Sequence, residues 1–295
     1  MKKLVFVPIF LAAVIFLTTQ CFNKPAAATQ KSVAAVEMKQ THKEAMDTLL
    51  ADSTKPLKPL NFKVLNNLQA MAFLTANNLD SLFIKDYPNN GFYGEDHYRI
   101  EFLFSACVRD AKDPTLYYIS GKNRHKKEIT PFSGTFRITQ LSEFTDPNLD
   151  MAEIGDMGVL KMYAAQGEFE IKEDAASKYS GVFKGKMKFE LSSFQNPEIK
   201  PAFWHYSKQV PSGGGGYTMS GNWTSYTQKD MVKPFIVAED FFAIANDIIK
   251  DFSYGEREVE VNAKYRSLGW ETLWENDEWW HEAEKIGRAS CRERV

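Results

Sequence analysis

Cysteine is nearly absent from this sequence: the 295 residues hold only three, Cys21, Cys107 and Cys291. That excludes a disulfide-stapled scaffold, so the fold must be held by its core. Long hydrophobic runs are missing too. The charge-free apolar stretch Leu4 to Leu17 is shorter than the roughly 20 residues a membrane-spanning helix needs. Histidine is scarce, and His97, His125 and His205 are scattered without a ligand spacing such as H-E-x-x-H. No G-x-S-x-G nucleophile elbow occurs. The glycine run Pro211–Gly216 lacks the lysine and the Ser or Thr of a phosphate loop, and a strand pattern follows it where a helix belongs. It is expected to be a flexible connection between strands.

Both ends stand apart from the rest. Met1-Lys2-Lys3 followed by the short apolar stretch has the layout of an export signal. Cys21 sits where a bacterial lipoprotein signal places its lipidated cysteine, although Thr18 and Gln20 occupy positions where Leu and a small residue belong. The rival is cleavage after Ala26-Ala27-Ala28, which would discard Cys21. Lipidation is the reading adopted, since it accounts for a lone cysteine at the end of the apolar stretch. At the other end, residues 286–295 read IGRASCRERV and resemble one translated frame of a sequencing-library adapter. They are set aside as a non-native tail, and the gene is expected to continue past Lys285. Removing Lys2, Lys3, Arg288, Arg292 and Arg294 from 36 basic residues, and Glu293 from 38 acidic ones, leaves 31 against 37, a net charge of −6. An acidic domain is not built to neutralise phosphates, so nucleic acid is not an expected partner.

What is present is aromatic side chains and alternation. Aromatic residues make up 14% of the chain, which suits large rings packed on a sheet. Tyr98, Ile100, Phe102, Phe104, Ala106 and Val108 fall on one strand face, and Lys112-Asp113-Pro114 then turns the chain. Further strands are predicted over 116–120, 132–138, 168–171, 181–191, 217–226 and 256–261, with Gly121 to Lys127 as a charged tip. Gly134, Gly185 and Gly221 each sit between two large apolar residues on one face. Recurrent strand-interior glycines point either to a sharply curved sheet or to separate bulges. Before the strands, helical spacing occurs over Ala34–Leu50 and Val64–Thr75. The expected organisation is a signal (1–20), a tether (21–33), a helical segment (34–80), a β domain (81–285) and the tail (286–295). The fold class is mainly β: a curved antiparallel sheet, barrel-like or sandwich, with one or two short N-terminal helices. The signal and the strand region together resemble the signal-bearing β proteins of the envelope of Bacteroidetes-type bacteria. That resemblance implies an envelope location, outer membrane or periplasm, and carries no activity.

Several residue groups are candidates for chemistry. Asp146, Asn148, Asp150 and Glu153 alternate oxygen side chains in a loop, which could wrap calcium. Met151 and Met157 stand where an EF-hand needs glycine and glutamate, so only an irregular site or a solvated loop remains. Glu168 with Glu170, and Glu256, Glu258 and Glu260, are strand carboxylates about 6.5 to 7 Å apart along the chain. That spacing is compatible with a glycan-directed hydrolase, and equally with a solvated face. Lys122, Arg124, His125, Lys126 and Lys127 form a basic stretch suited to an anionic glycan or lipid headgroup, or simply a solvated turn. Trp204, Tyr206, Trp270, Trp274 and Trp280 are the leading candidates for binding a glycan, lipid or protein, because exposed indoles offer flat apolar faces with one donor. The alternative places them in the core. The reading adopted is a lipid-anchored envelope protein with a noncatalytic binding or structural role, its site an aromatic surface or a barrel mouth.

Overall fold

A computed structural model describes residues 60–145, 158–194, 199–202, 208–254, 260–275 and 277–281. The predicted helix over Ala34–Leu50, Cys21 and the tail lie outside them. The chain is mainly β, as its alternation predicts. Its strands are β1 (Phe62–Val64), β2 (Asn89–Tyr93), β3 (Tyr98–Arg109), β4 (Leu116–His125), β5 (Glu128–Phe144), β6 (Val159–Glu173), β7 (Gly181–Phe194), β8 (Ile199–Pro201), β9 (Tyr217–Ser225) and β10 (Val232–Ala238). Every pairing is antiparallel. The order β5-β4-β3-β2-β10-β9-β7-β6 returns to β5, so eight strands close into a ring in which each main strand pairs with the main strand before it. Closure removes the exposed edges that would otherwise recruit other strands. β1 and β8 flank the ring on β5 and β7.

Side chains sort by parity. Phe102, Phe136, Phe183, Phe189, Met187 and Trp223 point inward into one apolar core. Lys172, Lys184, Lys186, Glu168 and Glu170 alternate outward along β6 and β7. A wall so charged faces water, since cations at the midplane of a lipid-facing barrel wall cost about 2–4 kcal/mol each. Among the described residues no helix is long and apolar enough to cross a membrane.

The glycines explain the curvature. Gly185 and Gly221 are direct partners across β7 and β9, and a Cβ on either would come within 2.0 Å of a strand carbonyl oxygen. The backbones approach as closely there as only glycine permits. The register shifts lie elsewhere, between Phe104 and Ala106, Ile138 and Gln140, and Val159 and Lys161. The curved-sheet reading therefore holds at the recurrent glycines, and bulges do not account for them. The shift in β3 corrects the face assigned to that strand. Beyond it Cys107 turns inward and is 6% exposed, while Val108 turns out and is 57% exposed.

The N-terminal part of the described chain plugs one end. Helix α1 (Asn67–Ala76) opens on a capping box, with the Asn66 side chain accepting from the Gln69 N–H and the Gln69 side chain accepting from the Asn66 N–H. The helical pattern predicted from Val64 thus starts later, because Val64 closes β1. The Arg109 guanidinium donates to the carbonyls of Leu74 and Asn77 and secures the far end of α1. A short 3-10 turn then sets Phe83 against the inward rings of Phe136, Phe189 and Tyr217. Helix α2 (Phe241–Ile248) and the segment after it pack on the outer face of the ring, where Phe92, Phe241, Phe252 and Trp270 make a second core. The glycine run is an organised loop. Gly213, Gly214 and Gly216 take positive φ angles that glycine adopts without strain. Glu190 accepts from the Ser212 N–H (3.0 Å) and hydroxyl (2.6 Å), which pins the loop to the outside of β7.

Candidate functional site

The end opposite the plug is open. The turns β2–β3, β4–β5, β6–β7 and β9–β10 surround it, and a cavity of about 800 Å³ lies among them. Each strand of the ring supplies a cavity-lining side chain: Tyr93, Tyr98, His125, Thr130, Glu173, Phe183, Trp223 and Lys233. Register brings them together. Tyr93 opposes Tyr98, Phe183 opposes Trp223, and Trp223 opposes Lys233.

Glu173 ties the floor. Its carboxylate accepts from Asn123 Nδ2 (2.7 Å), Trp223 Nε1 (2.8 Å) and the Gly181 N–H (2.8 Å), so one side chain of β6 links β4, β7 and β9. Burial raises its pKa above the ordinary carboxylate value, and the three donors oppose that shift. His125 stands between the rings of Tyr93 and Tyr98, at centroid distances of 4.6 and 5.2 Å. Burial, with Lys126 and Lys233 adding to it, lowers its pKa to about 4, so the imidazole is neutral at pH 7. Its Nε2 is buried without a hydrogen-bond partner. Burial also pushes the Tyr93 phenol well above its ordinary range, helped by Glu173 and Asp96.

The outer lip is a charged clasp. Glu101, buried on the outer face of β3, accepts from Arg99 Nη2 (2.8 Å), Arg124 Nε (2.6 Å) and Trp279 Nε1 (3.2 Å). Arg99 also donates to Asn90 and Thr272, and Arg124 pairs with Asp277. Trp270 Nε1 donates to the His97 carbonyl. The segment Gly269–His281 is thereby strapped over β3 and β4.

The residues singled out from sequence are spread apart. Trp270 is 2% exposed and belongs to the second core, so its ring is not offered to a ligand. Trp274 is 65% exposed and stacks on Phe242, away from the mouth. Trp280 is half-buried against Trp279, and its Nε1 is buried without a partner. Trp204, Tyr206, His205, Glu256 and Glu258 lie outside the described residues, as do Asp146, Asn148, Asp150 and Glu153, the candidate calcium ligands. Among the described residues no group of three His, Cys, Asp or Glu side chains could hold a metal. Glu168 and Glu170 face outward on β6, and Glu170 pairs with Lys172 and Lys184. Glu260 is in a separate two-stranded piece with residues 253–254. Glu168, Glu170 and Glu260 do not line the mouth. The charged tip is shorter than predicted: β4 runs on to His125, so Asn123 and His125 point inward while Lys122 and Arg124 point out.

Sequence reading missed Glu173, Lys233 and Trp223 as site residues. The signal was parity: Glu173 follows Phe169 and Ile171, and Lys233 precedes Phe235 and Val237, each a charge on the apolar side of its strand. Comparison of the chain with known families, with curated proteins and with solved structures finds no match.

Proposed function

We propose that this chain is a noncatalytic binding protein of the bacterial cell envelope, exported, anchored to a membrane through lipidated Cys21, and seating a small ligand in the barrel mouth. The observation that carries the reading is the open cavity itself, into which every strand of the ring projects a side chain while the opposite end is plugged. Its volume lies in the range of small-molecule sites, and its wall mixes aromatic faces with a few convergent polar groups. Binding without chemistry is favoured because the buried acids are already engaged. Glu173 is held by three donors and Glu101 by two arginines, so neither of these two buried acids is free to act as acid or base.

Thermal melting of the 295-residue chain against a panel of sugar acids, aromatic acids, short fatty acids and peptides tests the ligand seat. A compound that raises Tm for the native chain is expected to lose that effect in Thr130→Trp, which fills the mouth. A panel without a shift, or shifts unchanged in Thr130→Trp, argues against the mouth. The anchor is tested by the mass of the processed N-terminus: a diacylglyceryl-modified Cys21 supports it, and a chain beginning at Thr29 rejects it.

A further inference from the structure

The charges at the mouth are unevenly matched. On the outer lip Arg99 and Arg124 are met by Glu101 and Asp277, and Glu173 is turned onto its own donors. That leaves Lys126, Lys127, Lys178 and Lys233 against Glu128 and Glu271. Among the described residues none of those four lysines closes an ion pair, whereas the wall lysines Lys172 and Lys184 both pair with Glu170. Three of them rest over tyrosine rings instead: Lys126 over Tyr98 at 5.1 Å, Lys233 over Tyr93 at 5.3 Å and Lys178 over Tyr179 at 4.8 Å. A ring face orients an ammonium group without neutralising it, so the positive charge stays available to an incoming anion.

The depth of the cavity limits the rest of the ligand. Below the mouth the barrel is packed solid. Phe102, Phe183 and Phe235 meet with ring centroids 4.9 to 6.3 Å apart, leaving no channel for a long acyl tail. Above them the aromatic rings are already covered: Tyr93 is 6% and Trp223 3% exposed, and Lys126 lies over Tyr98. The groups left to meet a ligand are the lysine ammonium groups at the rim.

Resting on the reading of the mouth as a ligand seat, we propose that the ligand is a small organic anion. Its acidic group sits between Lys126 and Lys233. Long-chain lipids and cationic ligands are excluded by the same geometry.

The test uses two compounds of nearly one shape, 2-naphthoate and 2-naphthamide, titrated calorimetrically into the full chain at low salt. The acid is expected to bind at least about tenfold more tightly than the amide, a gap that narrows as salt rises. The double variant Lys126→Glu with Lys233→Glu should weaken the acid by about a further tenfold or more. The double variant Lys63→Glu with Lys186→Glu changes net charge equally on residues away from the mouth, and should leave binding unchanged. Equal affinity for acid and amide overturns the anionic ligand while leaving the mouth a binding site. Loss of acid binding in both double variants alike overturns it as well, since the effect would then be one of net charge. If neither compound binds, this inference fails, and the thermal panel decides separately whether the mouth binds anything.

Discussion

Glu190 gives a prediction whose size follows from the structure. The carboxyl is buried on the outside of β7 under the glycine loop, and burial raises its pKa from an ordinary 4.5 to about 7, against the opposing pull of the two Ser212 hydrogen bonds and Lys188. A carboxyl raised in the folded state holds a proton that the unfolded chain has released. Its contribution to stability is therefore complete below pH 4.5 and is lost as pH rises through 7. Two and a half units correspond to about 3 kcal/mol. His125 acts in the opposite sense. Its pKa falls from 6.5 to about 4, so its contribution is present above 6.5 and is lost as pH falls through 4, again about 3 kcal/mol. The two slopes offset one another between pH 4.5 and 6.5, and the raised Glu173 leaves the native chain losing some stability as pH rises there. Glu190→Gln keeps an oxygen for the Ser212 N–H and donors for its hydroxyl, and it removes the titration. Measured by urea unfolding, the stability of Glu190→Gln relative to the native chain should improve by about 3 kcal/mol between pH 4.5 and 8. A difference that stays constant across that range would refute the assignment of the titration to Glu190.

Other substitutions test the fold and the clasp. Glu101→Ala leaves Arg99 and Arg124 buried without their shared carboxylate, and should cost about 3 kcal/mol in urea unfolding while exposing residues 269–281 to limited proteolysis. Phe83→Ala removes the ring that closes the plugged end and should cost about 3–5 kcal/mol. Trp270→Ala should cost a similar amount and Trp274→Ala less than about 1 kcal/mol, the reverse of what a ligand-binding role for both would suggest. Gly221→Val places a Cβ within 2.0 Å of the Lys184 carbonyl oxygen, and should prevent closure of the ring, read as loss of the cooperative melting transition.

The sequence carries the local part of this architecture well. Alternation from Tyr98 to Phe104 marks the inner face of β3, and the glycines flanked by large residues mark the sharp curvature. Less local features are weaker. One extra residue between Phe104 and Ala106 inverts the face of everything after it, and nothing in the side chains there announces it. β2 is the short run Asn89–Tyr93, with two asparagines and a glycine, and it reads as a turn until β3 and β10 pair with it. β10 carries Pro234 and was not legible for the same reason. The mouth is the least legible part, because its residues come from eight strands and meet only through register. The tryptophan-rich end drew attention by composition, yet Trp270 is there to cover Phe92 and Phe241. The basic stretch came closer: Lys126 and His125 do belong to the site, though the continuation of β4 turns His125 inward.

The most direct test of the mouth as the ligand seat follows the tryptophans individually. The 295-residue chain, labelled with 5-fluorotryptophan, carries six indole reporters, of which Trp223 alone among Trp223, Trp270 and Trp274 lines the cavity. Fluorine spectra would be recorded as the thermal panel and 2-naphthoate are titrated in, with Trp223 assigned by Trp223→Phe. The account predicts that a binding compound moves the Trp223 resonance while those of Trp270 and Trp274 stay in place. Movement of the Trp274 or Trp280 signal with Trp223 unmoved would contradict it and return the site to the C-terminal tryptophans.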